Sequence, residues 1–206
     1  MLKKVEIEAK TLQEATKKAT ELLRISEDKI KLEVVKEKRG FLGVGSSVLY
    51  EASPNIDLTT EGKLFIEGII SALDIDVKME IQSPDESTIF YRLQTDENAL
   101  LIGKDGKTLL ALQTLLRNHL SSFTDEQLLI SLDIGNYHES RKKQLEILAT
   151  KTAKDVARSR IAVKLDPMNA FDRRIIHSKL SEWRDVETYS EGEGENRAII
   201  IKPRNK

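Results

Sequence analysis

Two short stretches of this sequence place residue types that can hold phosphate. In the first, Gly103-Lys104-Asp105-Gly106, two glycines bracket two charged residues. Glycines so spaced let the backbone turn sharply and come close to another backbone. Gly106 also stands where a helix opens, and the free N–H groups of a helix start favour an anion. By itself the tetrapeptide reads as a glycine C-cap followed by a turn into the next helix. The second stretch is helical. Arg173 and His177 stand four residues apart with Arg174 beside them, so a guanidinium and an imidazole share one face and can both donate to phosphate oxygens. By itself that spacing also describes a solvated helix face.

Other chemistries find no footing. Gly106-Lys107-Thr108 looks like the end of a nucleotide-binding P-loop, but that motif needs glycine five positions before Gly106, where Leu101 stands. A helical turn, not a strand, precedes it, and nucleotide hydrolysis is rejected. His119, His138 and His177 fall on separate elements at spacings that fit no common metal motif, and the chain has no cysteine. We expect no enzyme, no catalytic residue, no metal and no cofactor.

Composition narrows the class further. The 206 residues are 39% hydrophobic and 33% charged, above the disordered range, and only 5% aromatic, so the core must rest on Leu, Ile, Val and Ala. No apolar run is long enough to span a bilayer, and residues 1–10 alternate charged and apolar positions where a secretory leader would be continuously apolar. A cytoplasmic chain is expected. The net charge of −1 hides a strong partition: residues 1–53 carry +2, residues 54–135 carry −8 and residues 136–206 carry +5. The basic end points to a polyanionic partner.

The elements that must position these residues can be read from periodicity. Residues 1–53 give a β-α-β-β unit: an alternating strand from Lys3 to Ala9, then a helix capped by Thr11 with Glu14 completing a capping box. Leu12, Ala15, Ala19, Leu22 and Leu23 form its apolar stripe, and strands follow at Ile30 to Lys36 and Val44 to Tyr50. A linker is expected at 54–60. Residues 61–135 follow the order α-β-β-α-α-β, with a first helix facing inward through Leu64, Ile69, Ile70 and Leu73. Its strands fall at Val77 to Gln82, Thr88 to Gln94 and Leu128 to Ile134. Gly103 to Gly106 lies between its two later helices, which turns the reading of that loop toward phosphate. Residues 136–206 give a long basic helix to about Ala162 and a short strand. A helix capped by Asn169 then runs to about Trp183, and a hairpin of Val186 to Glu191 with Arg197 to Lys202 ends the chain. The fold class is α+β, in three small domains.

Three resemblances attach to these segments. Leu101-Ile102-Gly103-Lys104-Asp105-Gly106-Lys107-Thr108-Leu109, in its α-β-β-α-α-β setting, resembles a KH domain of the prokaryotic order. The GxxG loop of such a domain clamps about four nucleotides of single-stranded backbone. Pro167 to His177, with Ser190 to Gly194 and Arg197 to Ile201, resembles the domain named for Arg, three residues and His, here the R-three-H domain. Lys38-Arg39-Gly40-Phe41-Leu42-Gly43 is similar to the Jag N-terminal domain, with Gly40 to Gly43 read as a glycine-bent β connection. In that order the chain resembles the Jag family, the SpoIIIJ-associated proteins of bacteria, almost end to end.

The resemblance implies that the protein binds single-stranded RNA as a post-transcriptional regulator linked to cell elongation, division or sporulation. Carried to these residues, it implies that Ile102, Gly103, Lys104, Asp105, Gly106 and Lys107 form the KH contact, with bases resting on the apolar surface around Ile102 and Leu101. It implies phosphate contacts for Arg173, Arg174 and His177. The −8 of the KH segment and the carboxylate of Asp105 oppose phosphate, so long-range attraction is expected from the Arg173 face and the helix between Arg141 and Lys164. Single-stranded DNA is the alternative ligand. The rival function is a protein-interaction adaptor for membrane-insertion or cell-wall machinery, and the sequence leaves a dimer open.

Overall fold

The structure, a computed structural model, describes residues 2–38 and 46–204. The glycine-bent connection expected at 40–43 lies outside them. The chain forms two compact units, Met1–Gly135 and Asn136–Lys206.

The first unit begins with an antiparallel sheet in the order β1-β3-β2, made of Val5–Ala9 (β1), Ile30–Lys38 (β2) and Ser47–Pro54 (β3). Helix α1, Leu12–Leu23, packs on one face. Its start follows the sequence. Thr11 Oγ1 accepts from the Glu14 amide at 3.2 Å, and the Glu14 carboxylate accepts in return from the Lys10 amide. The buried stripe is narrower than expected: Ala15, Ala19 and Leu23 face the sheet, while Leu12 and Leu22 stay exposed. Alanine at the closest approach brings the helix down onto Ile7, Ala9 and Ala52. A bulge between Val34 and Lys36 also breaks the alternation expected for β2. It swaps the faces that follow and leaves Val34 and Val35 exposed.

The second part of this unit has helix α2 (Leu58–Ser71), strands β4 (Lys78–Asp85) and β5 (Thr88–Gln94), helices α3 (Asn98–Ile102) and α4 (Lys107–Ser121), and strand β6 (Leu129–Ile134). This is the α-β-β-α-α-β order expected. β4 pairs antiparallel with β5, and β5 pairs parallel with β6. The stretch expected as a linker at 54–60 is mostly taken up by the end of β3 and the first turn of α2, which Asp57 caps through the Thr60 amide.

The inward face of α2 differs from expectation. Leu64 and Leu73 are exposed, and the buried line is Glu61, Gly62, Ile66 and Ile70. Tyr91 decides this. Its hydroxyl donates toward the Leu58 and Thr59 carbonyls at 3.4 and 3.2 Å. A Cβ at position 62 would stand 2.0 Å from that hydroxyl oxygen. Only glycine lets the helix sit on the tyrosine, although mid-helix glycine ordinarily costs about 1 kcal/mol relative to alanine.

Glu61 is buried beside Gly62 and joins the two parts. Lys29, which precedes β2, donates to both its carboxylate oxygens at 2.7 and 2.8 Å, and His119 of α4 donates to one at 3.0 Å. His119 is stacked on Phe65 and meets the edge of Phe123. The Lys3 amide donates to the Phe123 carbonyl on the same side.

The second unit has α5 (Tyr137–Ser159), β7 (Val163–Lys164), α6 (Ala170–Leu180), β8 (Val186–Glu191) and β9 (Ala198–Pro203), with sheet order β7-β9-β8. Helix α5 ends three residues short of expectation because Arg160 turns left-handed, its amide bonded to the Val156 carbonyl. Leu145, Ala149, Ala153 and Val156 of α5 meet Ile176 and Leu180 of α6 and Val186, Ile199 and Ile201 of the hairpin. No helix among the described residues is long and apolar enough to cross a membrane.

The Glu61 cluster generates a pH dependence. Burial by itself would raise the carboxyl, but the hydrogen bonds from Lys29 and His119, with the Lys29 charge, outweigh it and hold it below its ordinary 4.5. A carboxyl that titrates lower in the folded than in the unfolded chain stabilises fully above the unfolded value. That contribution fades as pH falls through the folded value. Glu61→Gln is expected to cost about 2 kcal/mol at neutral pH and to decline less than the parent between about pH 5 and pH 3. Urea unfolding across that range checks it; parallel declines would remove Glu61 from the linkage.

Candidate nucleic-acid interface

Three of the four residues of the GxxG loop have positive φ. Gly103 has φ +69°, Asp105 +52° and Gly106 +76°. A Cβ at Gly103 would lie 2.1 Å from the Thr108 hydroxyl oxygen, so that glycine answers to packing as well as to φ. Asp105 occupies a conformation that aspartate tolerates better than most residues. Gly106 is buried and caps α4 without a side-chain acceptor on the helix amides. Lys104, Asp105 and Lys107 project into solvent, and Lys104 and Lys107 form no ion pair among the described residues.

Ile102 is half-buried beside this loop. Leu101 is not available for bases: it is 1% exposed and belongs to the core. The open apolar side chains next to the loop are Leu100 and Leu110. Within so short a helix as α3, periodicity could not say which of two adjacent leucines points inward.

The second candidate stands on α6. Asn169 Oδ1 accepts from the Asp172 amide at 2.9 Å and starts the helix as its sequence predicts. Helix α6 then lies along β8, and the Arg–His pair is held from that strand. Arg173 donates from NH1 to Ser190 Oγ at 3.1 Å and from Nε to the Met168 carbonyl at 3.3 Å. His177 Nδ1 shares a hydrogen bond with Thr188 Oγ1 at 2.6 Å. Residues four apart on the helix thus meet residues two apart on the strand, which fixes both side chains in register. Arg173 is half-buried, and Arg174 and His177 are exposed.

Ser190 and Thr188 were not legible as positioning residues, since a hydroxyl on a strand carries no spacing signal. Nor was the anchor beneath them. Asp172 is buried, and Arg141 of α5 donates to its Oδ2 from Nε and NH2 at 3.0 and 2.9 Å. Arg141, which the sequence assigned to long-range attraction, is therefore spent largely inside the fold. The loop residues 102–107 belong to the first unit and Arg173, Arg174 and His177 to the second, so each group is a site by itself.

Comparison with known proteins agrees with this architecture. Residues 143–203 match the family model of the R-three-H domain, and residues 7–48 match that of the Jag N-terminus. A helix bearing Arg-xxx-His on a three-stranded sheet, behind a Jag N-terminus, defines an α+β protein of the R-three-H class. The chain is 36% identical over 200 residues to the RNA-binding protein KhpB of Clostridium symbiosum, covering 96% of this chain and 90% of that one. It is 32% identical over 205 residues to the RNA-binding protein KhpB of Bacillus subtilis strain 168, covering 97% and 98%. A third protein of that name, from Lactiplantibacillus plantarum, is 33% identical over 134 residues, 65% of this chain and 39% of its own. The chain belongs to the Jag family.

Removing one partner of a buried ion pair leaves the other charge stranded. Arg141→Leu is expected to destabilise the second unit by about 3 kcal/mol, and Arg141→Leu with Asp172→Leu to recover part of that loss. Urea unfolding followed by the single tryptophan, Trp183 of the second unit, measures both. A single variant as stable as the parent would make the pair dispensable.

Proposed function

We propose that this protein binds single-stranded RNA without catalysing a reaction on it. The observation that carries the reading is the Arg173–His177 pair. Two phosphate donors are fixed in register by Ser190 and Thr188 on a basic unit, in a chain whose near-full-length relatives are named RNA-binding proteins. In this reading residues 1–53, 61–135 and 136–206 act as the Jag, KH and R-three-H domains. The net +5 of the last segment captures the polyanion at long range, and the −8 of residues 54–135 makes that order of events favourable. Arg173, Arg174 and His177 then hold phosphates. At the loop, the amides around Gly106 and the Lys104 ammonium take further phosphates, and Ile102, Leu100 and Leu110 offer bases an apolar surface. Two modest sites on one chain raise each other's effective concentration. The role that follows is that of a cytoplasmic post-transcriptional regulator, tied through the family to cell elongation, division or sporulation.

Equilibrium binding of a mixed-sequence single-stranded RNA across a salt series tests this. Log K is expected to fall linearly with log salt, at about 0.7 per phosphate neutralised. Arg173→Ala is expected to weaken all sequences alike and to lower the slope by about one phosphate's worth, and Lys104→Asp to weaken binding with little change in Tm. Because Arg173 also bonds Ser190, Ser190→Ala serves as the control for loosened packing. A nearly flat salt plot for the parent would return the adaptor reading.

A further inference from the structure

Phe171, Arg174 and His177 form a single row on α6. Each step of three residues is about 60° of rotation and about 4.5 Å of rise, the spacing at which helix side chains are neighbours. The row therefore starts at the Arg–His face, passes through Arg174 and ends on an aromatic ring. Phe171 is 58% exposed, the most open aromatic side chain among the described residues. His138 of α5 meets it in a T-shaped contact, with 6.0 Å between ring centroids and 72° between planes. One contact of that kind occupies one side of the ring and leaves the rest to solvent.

Nothing on the helix opposes an anion along this row. Arg174 is exposed and forms no ion pair among the described residues. The single carboxylate of α6, Asp172, is buried and bonded to Arg141, and Glu139, beside His138, is paired with Lys143. A lone exposed phenylalanine needs no explanation; here it stands one helical step from an unpaired guanidinium. In a single strand each base is joined through one sugar to its phosphate, so a ring that takes the base must stand directly beside the group that takes the phosphate. An acidic peptide is satisfied by the cations alone.

We propose that Phe171 is a base-stacking residue of the Arg–His site, with Arg174 on the phosphate next to the stacked base and His138 fixing the ring. The proposal deepens the RNA-binding reading and rests on it. The contact is tolerant of sequence, since every base has a π-face.

The test uses the full chain, a mixed-sequence single-stranded RNA oligonucleotide and an abasic strand of the same length and charge. Phe171→Leu is expected to weaken RNA about tenfold while the abasic strand and the salt slope stay unchanged, and Phe171→Tyr to retain binding. Arg174→Gln is expected to lower the slope by about 0.7, one phosphate's worth. A Phe171→Leu variant that binds RNA like the parent overturns the stack, and so does one that loses RNA and the abasic strand equally. If either occurs while Arg173→Ala still weakens binding, the stack alone falls and the Arg–His reading stands. If Phe171→Leu weakens RNA selectively and Arg173→Ala has no effect, the stack stands and the phosphate role of Arg173 falls. A poly-aspartate peptide that binds the parent and is weakened as much as RNA by Phe171→Leu assigns the ring to an acidic protein and overturns the proposal. Should Phe171→Leu not fold, a 4-thiouridine crosslink mapped on the unaltered chain decides: one at Phe171 supports the stack, and crosslinks only elsewhere overturn it.

Discussion

A sheet with one apolar face must bury that face against another element, and the described residues of this protein form three three-stranded sheets. How closely each helix can approach is therefore the constraint under which everything else is arranged. The approach is bought with small residues: Ala15 and Ala19 in α1, Gly62 in α2, Ala149 and Ala153 in α5. Each stands where a larger side chain would lift the helix off its partners. Gly62 is the extreme case, since the tyrosine hydroxyl beneath it occupies the space a methyl group would need.

Close approach brings backbone and charge inside with the apolar groups, and the fold answers with dedicated partners. Glu61 and Asp172 are the two buried carboxylates among the described residues, and each is met by a basic side chain from a distant element. Their roles differ. Glu61 ties Lys29, just before β2, to α2 and α4 within the first unit. Asp172 sits one position before Arg173. Fixing it to Arg141 sets the rotation of α6 about its axis and hence the direction in which Arg173 and His177 point. A structural ion pair beneath the helix and a hydroxyl pair beside it together aim the Arg173 and His177 side chains.

The uneven charge along the chain gains meaning from this division of labour. The acidic segment presents an exposed loop bent by its glycines, in a field that opposes phosphate. The basic unit carries the opposite field, with Arg173 and Arg174 side by side on α6. In the proposed reading, glycine conformation and net charge act on one polyanion over different distances, a few ångströms and a Debye length.

Much of the local structure around the candidate site was legible in the sequence because its signals are local. Thr11 and Asn169 capped the helices their spacing predicted, Gly103 to Gly106 fell between two helices, and the hairpin closed over residues 192–196. A cap or a turn is decided by a few neighbouring residues, so a few neighbouring residues reveal it. Tertiary structure alone decided which face of each helix turned inward. Periodicity established that α2 has an apolar side, but Leu64 and Leu73 lost that place to Gly62 and Ile66 because Tyr91, from another strand, required the glycine. Leu101, expected on the open surface beside the loop, is in the core instead. The partners of Glu61 lie 32 and 58 positions away, and the hydroxyls that hold Arg173 and His177 lie 17 and 11 away on a strand. No spacing rule joins residues so separated; only the packing of helix on sheet makes them neighbours.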